Sequence, residues 1–365
     1  MKEQLKIKSI TRFPGGKSRS LKFLNEFLEL PHDFYREPFI GGCTVFLGKN
    51  KAKNNWINDL DYEIYAMHIT IRDNPDKMIE YIKEYTQPTL ESYNQILNDN
   101  RDDIIWRGFR CLFLNRCSFN GMTFGGPIGG RNQTGKWLVD CCWKKEILIE
   151  RVKSIHEKLR DVKITNLDFE ELIKEPGENV FLYLDPPYYH EGNKLYAVGM
   201  SLNDHERLRN LLLETPHDFL LSYRDCAEVR ELYKNKDKFV ILERTWTYSM
   251  MTQSKKGCQQ SNEVFIMNHN LYNKYLNKKE QEKTEQQKIK KITLVRTINN
   301  EDGVPEGEGI HIGTEYKNFY KGTWNSPIEQ EKVKIKKKNC KIVEYEQYGE
   351  IINLEKGSNN IDLWI

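Results

Sequence analysis

Seven short runs of apolar or alternating apolar and polar residues recur along the chain, at 34–40, 55–58, 162–166, 180–184, 218–222, 239–246 and 263–268. Their length and their aromatic and β-branched content predict strands. Between most of them the apolar spacing switches to that of one helical face, at 62–73, 147–159, 204–214 and 227–235. Strands alternating with helices predict an α/β fold, with a mostly parallel, doubly wound sheet covered on both faces. The run Val180-Phe181-Leu182-Tyr183-Leu184 is apolar throughout, the pattern of a strand buried on both sides. Only the polar, basic stretch 249–261 separates the last two runs, which predicts an antiparallel hairpin at the sheet edge.

Two segments fall outside this alternation. About a hundred residues separate the second and third strands, far more than a crossover needs, so the middle is expected to form an inserted lobe. It holds a helical stretch from residue 106, then the glycine-rich run 121–131. Beyond residue 270 the composition changes: 277–291 is nearly all Lys, Glu and Gln, a solvated helix or linker. From 292 onward, short alternating runs such as 292–295 and 342–345 are broken by Gly, Asn and Pro. The expected partition is a main domain of 1–74 with 151–270, an inserted lobe of 75–150, a charged linker of 271–291 and a small β-rich C-terminal appendage of 292–365.

Composition narrows the setting. A chain of 365 residues, 38% hydrophobic and 30% charged, can bury one large core and leave material for a second module. The net charge of +3 argues nothing about nucleic acid by itself. The eight cysteines are scattered, and the pair Cys141-Cys142 matches neither a CxxC motif nor a zinc spacing. A reduced, cytoplasmic environment without a structural metal is expected. No apolar run has transmembrane length, and the polar opening Met1-Lys2-Glu3-Gln4 is unlike a signal peptide, so no membrane partner is expected.

The chemistry concentrates in a few places. Asp185-Pro186-Pro187-Tyr188 closes the apolar strand, at the strand end where open α/β sheets hold their ligands. A carboxylate, a proline carbonyl and an aromatic face can together grip an amino group on a planar ring; the plainer reading is a Pro-Pro turn with Asp185 capping a helix. Glu37-Pro38-Phe39-Ile40-Gly41-Gly42-Cys43-Thr44 follows the first strand, and its two glycines let a ligand approach the backbone, or merely make a tight turn. Asn58-Asp59 ends the second strand, where an acid either holds ribose hydroxyls or caps the next helix. Arg12-Phe13-Pro14-Gly15-Gly16-Lys17 makes a turn that brings a cation close to the backbone. In Leu114-Asn115-Arg116-Cys117-Ser118-Phe119-Asn120-Gly121, Asn could pair with an adenine edge, Arg with guanine or phosphate, and Phe could wedge between bases. Without support from elsewhere that segment is a helix end with a core Phe.

The ordered set FPGGK, EPFIGG, ND, RCSFNG, DPPYY resembles the Dam-type, α-class DNA adenine methyltransferases over about residues 10 to 270. The resemblance implies a Rossmann-like methyltransferase sheet with an inserted target-recognition lobe, S-adenosylmethionine as cofactor and double-stranded DNA as partner, with a restriction endonuclease as a possible functional companion. It implies a catalytic loop of Asp185, Pro186, Pro187 and Tyr188. Phe13, Lys17, Phe39, Gly41, Gly42, Asp59, Asp168 and Asp185 would surround the cofactor. Arg116, Phe119, Asn120, Arg131, Lys255 and Lys256 would meet DNA. The implied reaction is direct transfer to the 6-amino group of an adenine flipped from the stack. Three departures stand out: Phe13 replaces the commoner tryptophan, the run 125–130 with Trp137 differs from GATC readers, and the chain beyond 270 has no counterpart in short members. Methylation of cytosine or of RNA adenine, and a non-catalytic DNA-binding subunit, are the competing readings.

Overall fold

The computed structural model describes residues 7–13, 16–122, 125–190, 198–248 and 259–290, with strand segments at 292–296, 332–335, 350–354 and 361–364. Seven strands form one sheet: β1 (Phe34–Glu37), β2 (Asn54–Asn58), β3 (Lys163–Thr165), β4 (Val180–Leu184), β5 (Asp218–Arg224), β6 (Phe239–Tyr248) and β7 (Gln259–Asn268). Their order is β3-β2-β1-β4-β5-β7-β6, with β7 antiparallel to both neighbours and the remaining pairs parallel. Six strands thus share one direction and one is reversed near the edge, the doubly wound methyltransferase sheet. The winding direction changes between β1 and β4, so a crevice opens at their carboxyl ends.

The side-chain alternation of the strands sorts the core into two layers. Phe181 and Tyr183 of β4, Leu220 of β5 and Phe265 of β7 belong to one buried cluster. Val180, Leu182 and Leu184, with Phe219, Leu221, Val264 and Ile266, belong to the other. All five residues of β4 are buried, as its unbroken apolar run requires. The first strand is shorter than the apolar run 34–40, because Pro38 has no N–H to continue the ladder and Ile40 N–H turns to the Asn58 carbonyl at 2.9 Å.

Helices α1 (Leu21–Leu28), α2 (Thr44–Gly48) and α3 (Tyr62–Asp73) accompany the first strands. In the middle segment, α4 (Pro75–Glu84), α5 (Leu90–Leu97) and α6 (Ile104–Cys117) precede α7 (Lys145–Leu159). Thr89 and Ser92 form a capping box on α5, and Asp103 caps α6 by accepting from Trp106 N–H. Trp106, Phe109 and Phe113 of α6 join the same buried cluster as Tyr35 and Phe181 of the sheet. Helices α8 (Phe169–Lys174), α9 (Leu202–Glu214) and α10 (Ala227–Leu232) complete the winding, and α11 (His269–Lys290) covers the charged stretch.

The chain divides into two compact units, Met1–Tyr275 and Leu276–Ile365. In the second, β8 (Ile292–Arg296) pairs antiparallel with β10 (Glu350–Leu354), and β9 (Lys332–Ile335) with β11 (Ile361–Trp364). The alternating run at 342–345 lies outside the described residues. Among the described residues, no helix is long and apolar enough to cross a membrane.

The α3–α6 crossing depends on Gly108, where a Cβ would lie 2.5 Å from Thr70 Oγ1 and 2.6 Å from the Ala66 carbonyl oxygen. Gly108→Ala improves helix propensity by about 1 kcal/mol, but overpacking against a backbone atom costs about 1–3 kcal/mol. The expected outcome is a lower melting temperature; a variant as stable as the parent would show the crossing is looser than these distances require.

Candidate catalytic site

Asp185 leaves the central strand at the switch point, half-buried, and its Oδ1 is held twice. Lys17 Nζ lies 2.8 Å away and Ser222 Oγ donates to the same oxygen at 2.8 Å. Ser222 is itself placed by Tyr183, whose hydroxyl is 3.2 Å from Ser222 Oγ. Lys17 is only 3% exposed and also faces Glu263 Oε1 at 3.7 Å and the Tyr188 ring, 5.6 Å from Nζ to the centroid. Burial alone would lower the Lys17 pKa, but Asp185, Tyr188 and Glu263 outweigh it and hold it well above the ordinary range. The ammonium is therefore a fixed charge. Pro186 is buried behind the loop, while Pro187 and Tyr188 are half-buried.

A cavity of about 1070 Å³ extends from this carboxylate, lined by Phe13, Lys17, Phe39, Gly41, Gly42, Asp59, Asp168 and Asp185 among others. Gly41 has φ +42° with open space where a Cβ would stand, whereas a Cβ on Gly42 would come within 3.1 Å of the Phe13 ring. Asp59 Oδ2 accepts from Gly41 N–H at 2.8 Å and Oδ1 from Asp61 N–H at 2.9 Å. The helix-cap reading of Asp59 is thereby corrected. The cap of α3 is Asp61, which accepts from Glu63 N–H at 2.9 Å, and Asp59 instead ties the end of β2 to the glycine turn after β1. Burial pushes its pKa up to about 7.

Asp168 caps α8 through Glu170 N–H and takes a bidentate pair from Arg207 at 2.8 and 2.9 Å. Burial works against its charge, but Arg207 and the Glu170 N–H prevail and lower its pKa. Leu60 and Leu167, 49% and 40% exposed, present apolar surface to the same cavity.

Three groups in this neighbourhood have no role assigned from the sequence. Glu37, 2% exposed at the end of β1, accepts from Tyr35 OH at 2.7 Å; burial, with a contribution from nearby Asp185, pushes its pKa up to about 8. Glu263 and Arg207 come from β7 and α9, distant in sequence from the motifs they meet. The available signal for Glu263 was a carboxylate opening the apolar run Val264-Phe265-Ile266.

The residues expected to meet DNA separate into exposed and buried. Phe119 is 56% exposed, and the neighbouring Asn120 is also exposed, with φ +54°. Their turn is anchored by Asn115: Oδ1 accepts from Arg12 N–H at 2.8 Å, and Nδ2 donates to the Arg12 and Gly121 carbonyls at 3.0 and 2.8 Å. Arg131 is exposed on the following loop, which Gln133 braces through Ile128, Gly130 and Val139. Arg116, by contrast, is 7% exposed. Lys255 and Lys256 lie outside the described residues. Near the Asp185 loop, His190, Cys226 and Glu228 bring ligand-type atoms within 4.8 Å of one another, with a direct His190–Glu228 contact of 3.0 Å.

Glu37 gives a pH dependence whose sign follows from its raised pKa. The stability it contributes is fully present below its ordinary value of 4.5 and is lost as pH rises through about 8. Between pH 6 and 8 the folded protein should lose about 2 kcal/mol on this account. Glu37→Gln keeps an acceptor for Tyr35 and should flatten that part of the decline in thermal melts. Equal declines in the two proteins would contradict a neutral Glu37.

Comparison with known proteins accords with this geometry. Residues 13–250 match the family described as D12 class N6 adenine-specific DNA methyltransferase. The chain is 28% identical over 253 residues to the type II methyltransferase M1.LlaDCHI of Lactococcus lactis subsp. cremoris, covering 64% of this chain and 87% of that protein. It is 23% identical over 231 residues to the type II methyltransferase M.CviBI of Paramecium bursaria Chlorella virus NC1A, covering 62% and 86%. It is 23% identical over 256 residues to the DNA adenine methylase of Vibrio cholerae serotype O1, covering 65% and 88%. The matched stretch runs from Phe13 past the Asp185 loop and takes in most of the sheet, and so the chain belongs to the D12 class of N6 adenine-specific DNA methyltransferases.

Proposed function

We propose that this enzyme transfers a methyl group from S-adenosylmethionine to the 6-amino group of an adenine flipped out of double-stranded DNA, with Asp185, Pro186, Pro187 and Tyr188 gripping the amine. The observation that carries this reading is the Asp185 carboxylate at the switch point, with Oδ1 fixed by Lys17 and Ser222.

The cavity suits that cofactor in its donor set. Leu60 and Leu167 can sandwich a flat base, Asp59 offers a carboxylate to ribose hydroxyls, and the open Gly41 turn admits the methionine part. When bound, S-adenosylmethionine supplies an electrophilic methyl group on a sulfonium. Phe13, Phe39, Gly42 and Asp168 would line its site. On the substrate side, Asp185 Oδ2 and the Pro186 carbonyl would accept the two amino hydrogens while Tyr188 stacks on the ring. Those bonds draw the nitrogen toward tetrahedral geometry and free its lone pair. Orientation supplies much of the acceleration, and the proton leaves after transfer.

Within the inserted segment 75–150, Phe119, Asn120 and Arg131 are the proposed base and groove contacts, with Lys255 and Lys256 as phosphate contacts. The name type II methyltransferase carried by two relatives supports a place beside a restriction endonuclease, and a DNA substrate goes with a cytoplasmic setting.

The reading is tested with labelled cofactor and duplex, single-stranded and RNA oligonucleotides, followed by nucleoside analysis. N6-methyladenine from duplex DNA is expected; N4-methylcytosine or product only from RNA would overturn the substrate assignment. Asp185→Ala should lower methyl transfer by at least a hundredfold, on the order of 3 kcal/mol, with cofactor affinity by titration calorimetry nearly unchanged. Activity within about tenfold of the parent would remove Asp185 from the reaction.

Asn120→Ala should relax preference at one base pair, at a cost of about 1–3 kcal/mol on the preferred site. Phe119→Ala should weaken methylation evenly across sites, because a wedge carries little sequence information. Methylation of single-base variants of the site checks both; an unaltered site preference in Asn120→Ala would place the readout elsewhere.

A further inference from the structure

Three arginines crowd together behind the turn that carries Phe119 and Asn120, and none has a carboxylate partner among the described residues. Arg116, in the last turn of α6, is 7% exposed, and its Nε is buried without a hydrogen-bond partner. Arg12 has Nη1 in the same condition. Arg151, on α7, spends one donor on the Ser9 carbonyl at 2.8 Å. Burial first, then the charges of Arg151 and Arg12, push the Arg116 pKa down to about 10, which still leaves it charged at neutral pH.

A buried guanidinium without a counter-ion is unfavourable, and like charges nearby make it more so. Arg116 could have snorkelled outward or found a carboxylate, yet it stays inside with donors to spare. Such an arrangement is what a protein shows when the anion comes with the ligand. The position narrows the choice. Arg12 and Arg151 line the same cavity as Asp185, and the Arg12 backbone is locked by Asn115 to the Gly121 end of the exposed turn. An anion held by Arg12 and Arg151, with the charge of Arg116 behind them, would lie in the cavity that also reaches the Asp185 carboxylate. Guanidinium forks match the paired oxygens of a phosphodiester.

We infer that Arg12, Arg116 and Arg151 form a receptor for one backbone phosphodiester of the DNA strand that carries the target adenine. This rests on the DNA-methylation reading above. The receptor fixes the flipped nucleotide by its phosphate and carries no sequence information of its own.

The test uses the full-length protein and duplexes in which single phosphates are replaced, one position at a time, by neutral methylphosphonate. One position should cost the parent enzyme about tenfold or more in affinity. The same substitution should cost Arg116→Met and the Arg12→Gln/Arg151→Gln double variant no more than about twofold further, because the receptor is already lost. Both variants should show a shallower dependence of affinity on salt, by about one phosphate, equally on preferred and unrelated sequences. Cofactor affinity should be unchanged. The free Arg116→Met protein should melt no lower than the parent, since it loses a buried unpaired charge. Methylphosphonate profiles and salt slopes that match the parent's would overturn the proposal. So would a loss of cofactor affinity with DNA binding intact, which would assign the arginines to the cofactor's carboxylate. A parent enzyme that methylates DNA while the variants keep its profile would sink this inference alone; a parent that binds no DNA would sink the methylation reading with it.

Discussion

The ion pair between Lys17 and Asp185 fixes the end of the central strand, and the site is arranged around it. A buried pair of this kind adds little net stability, since desolvation cancels much of the attraction. Its effect is positional. Lys17 arrives from the loop before α1, Ser222 from β5 and Glu263 from β7, so three separate parts of the chain must be in place before the carboxylate has its orientation. Removing one partner strips the other of its nearest counter-charge, at a cost of up to about 3–5 kcal/mol. Lys17 therefore belongs to the fold and to the site at once, and substitutions there will confuse the two.

The acids around the cavity answer to different surroundings. Glu37 and Asp59 are buried deeply enough to be pushed toward neutrality, to about 8 and about 7. Asp168, beside the Arg207 fork, is driven the other way. Several carboxylates can share one pocket when burial favours the protonated form of some and a fixed cation pairs with the others, as Arg207 does with Asp168 and Lys17 with Asp185. Placement of these acids at strand ends and helix starts follows from the doubly wound sheet, whose loops at one edge collect what the chain scatters.

Much of this was legible before any coordinates. The apolar run 180–184 marked the central strand, and its abrupt stop at Asp185 marked the site, because burial on both faces and two prolines leave few alternatives. The hairpin 239–268 was legible from the lack of a helical pattern between its strands. What escaped was long-range or finely local. Asp59 and Asp61 stand two residues apart and either could cap α3, so only coordinates separate cap from clamp. Glu263 and Arg207 acquire meaning only from partners far along the chain. Arg116 reads as a surface contact until α6 is rotated into place with its neighbours Asn115 and Cys117 also inside.

Asn115 invites a different kind of conclusion. Its amide clasps the backbone at Arg12 and at Gly121 together, five residues before Lys17 and one after Asn120. The segment proposed to meet DNA and the segment that orients the Asp185 carboxylate are thus fastened to one side chain at the end of one helix. Exchange of recognition loops between such enzymes is consequently no free recombination of modules. A graft that omits this amide would bring a new specificity to a catalytic centre whose N-terminal strap has come undone.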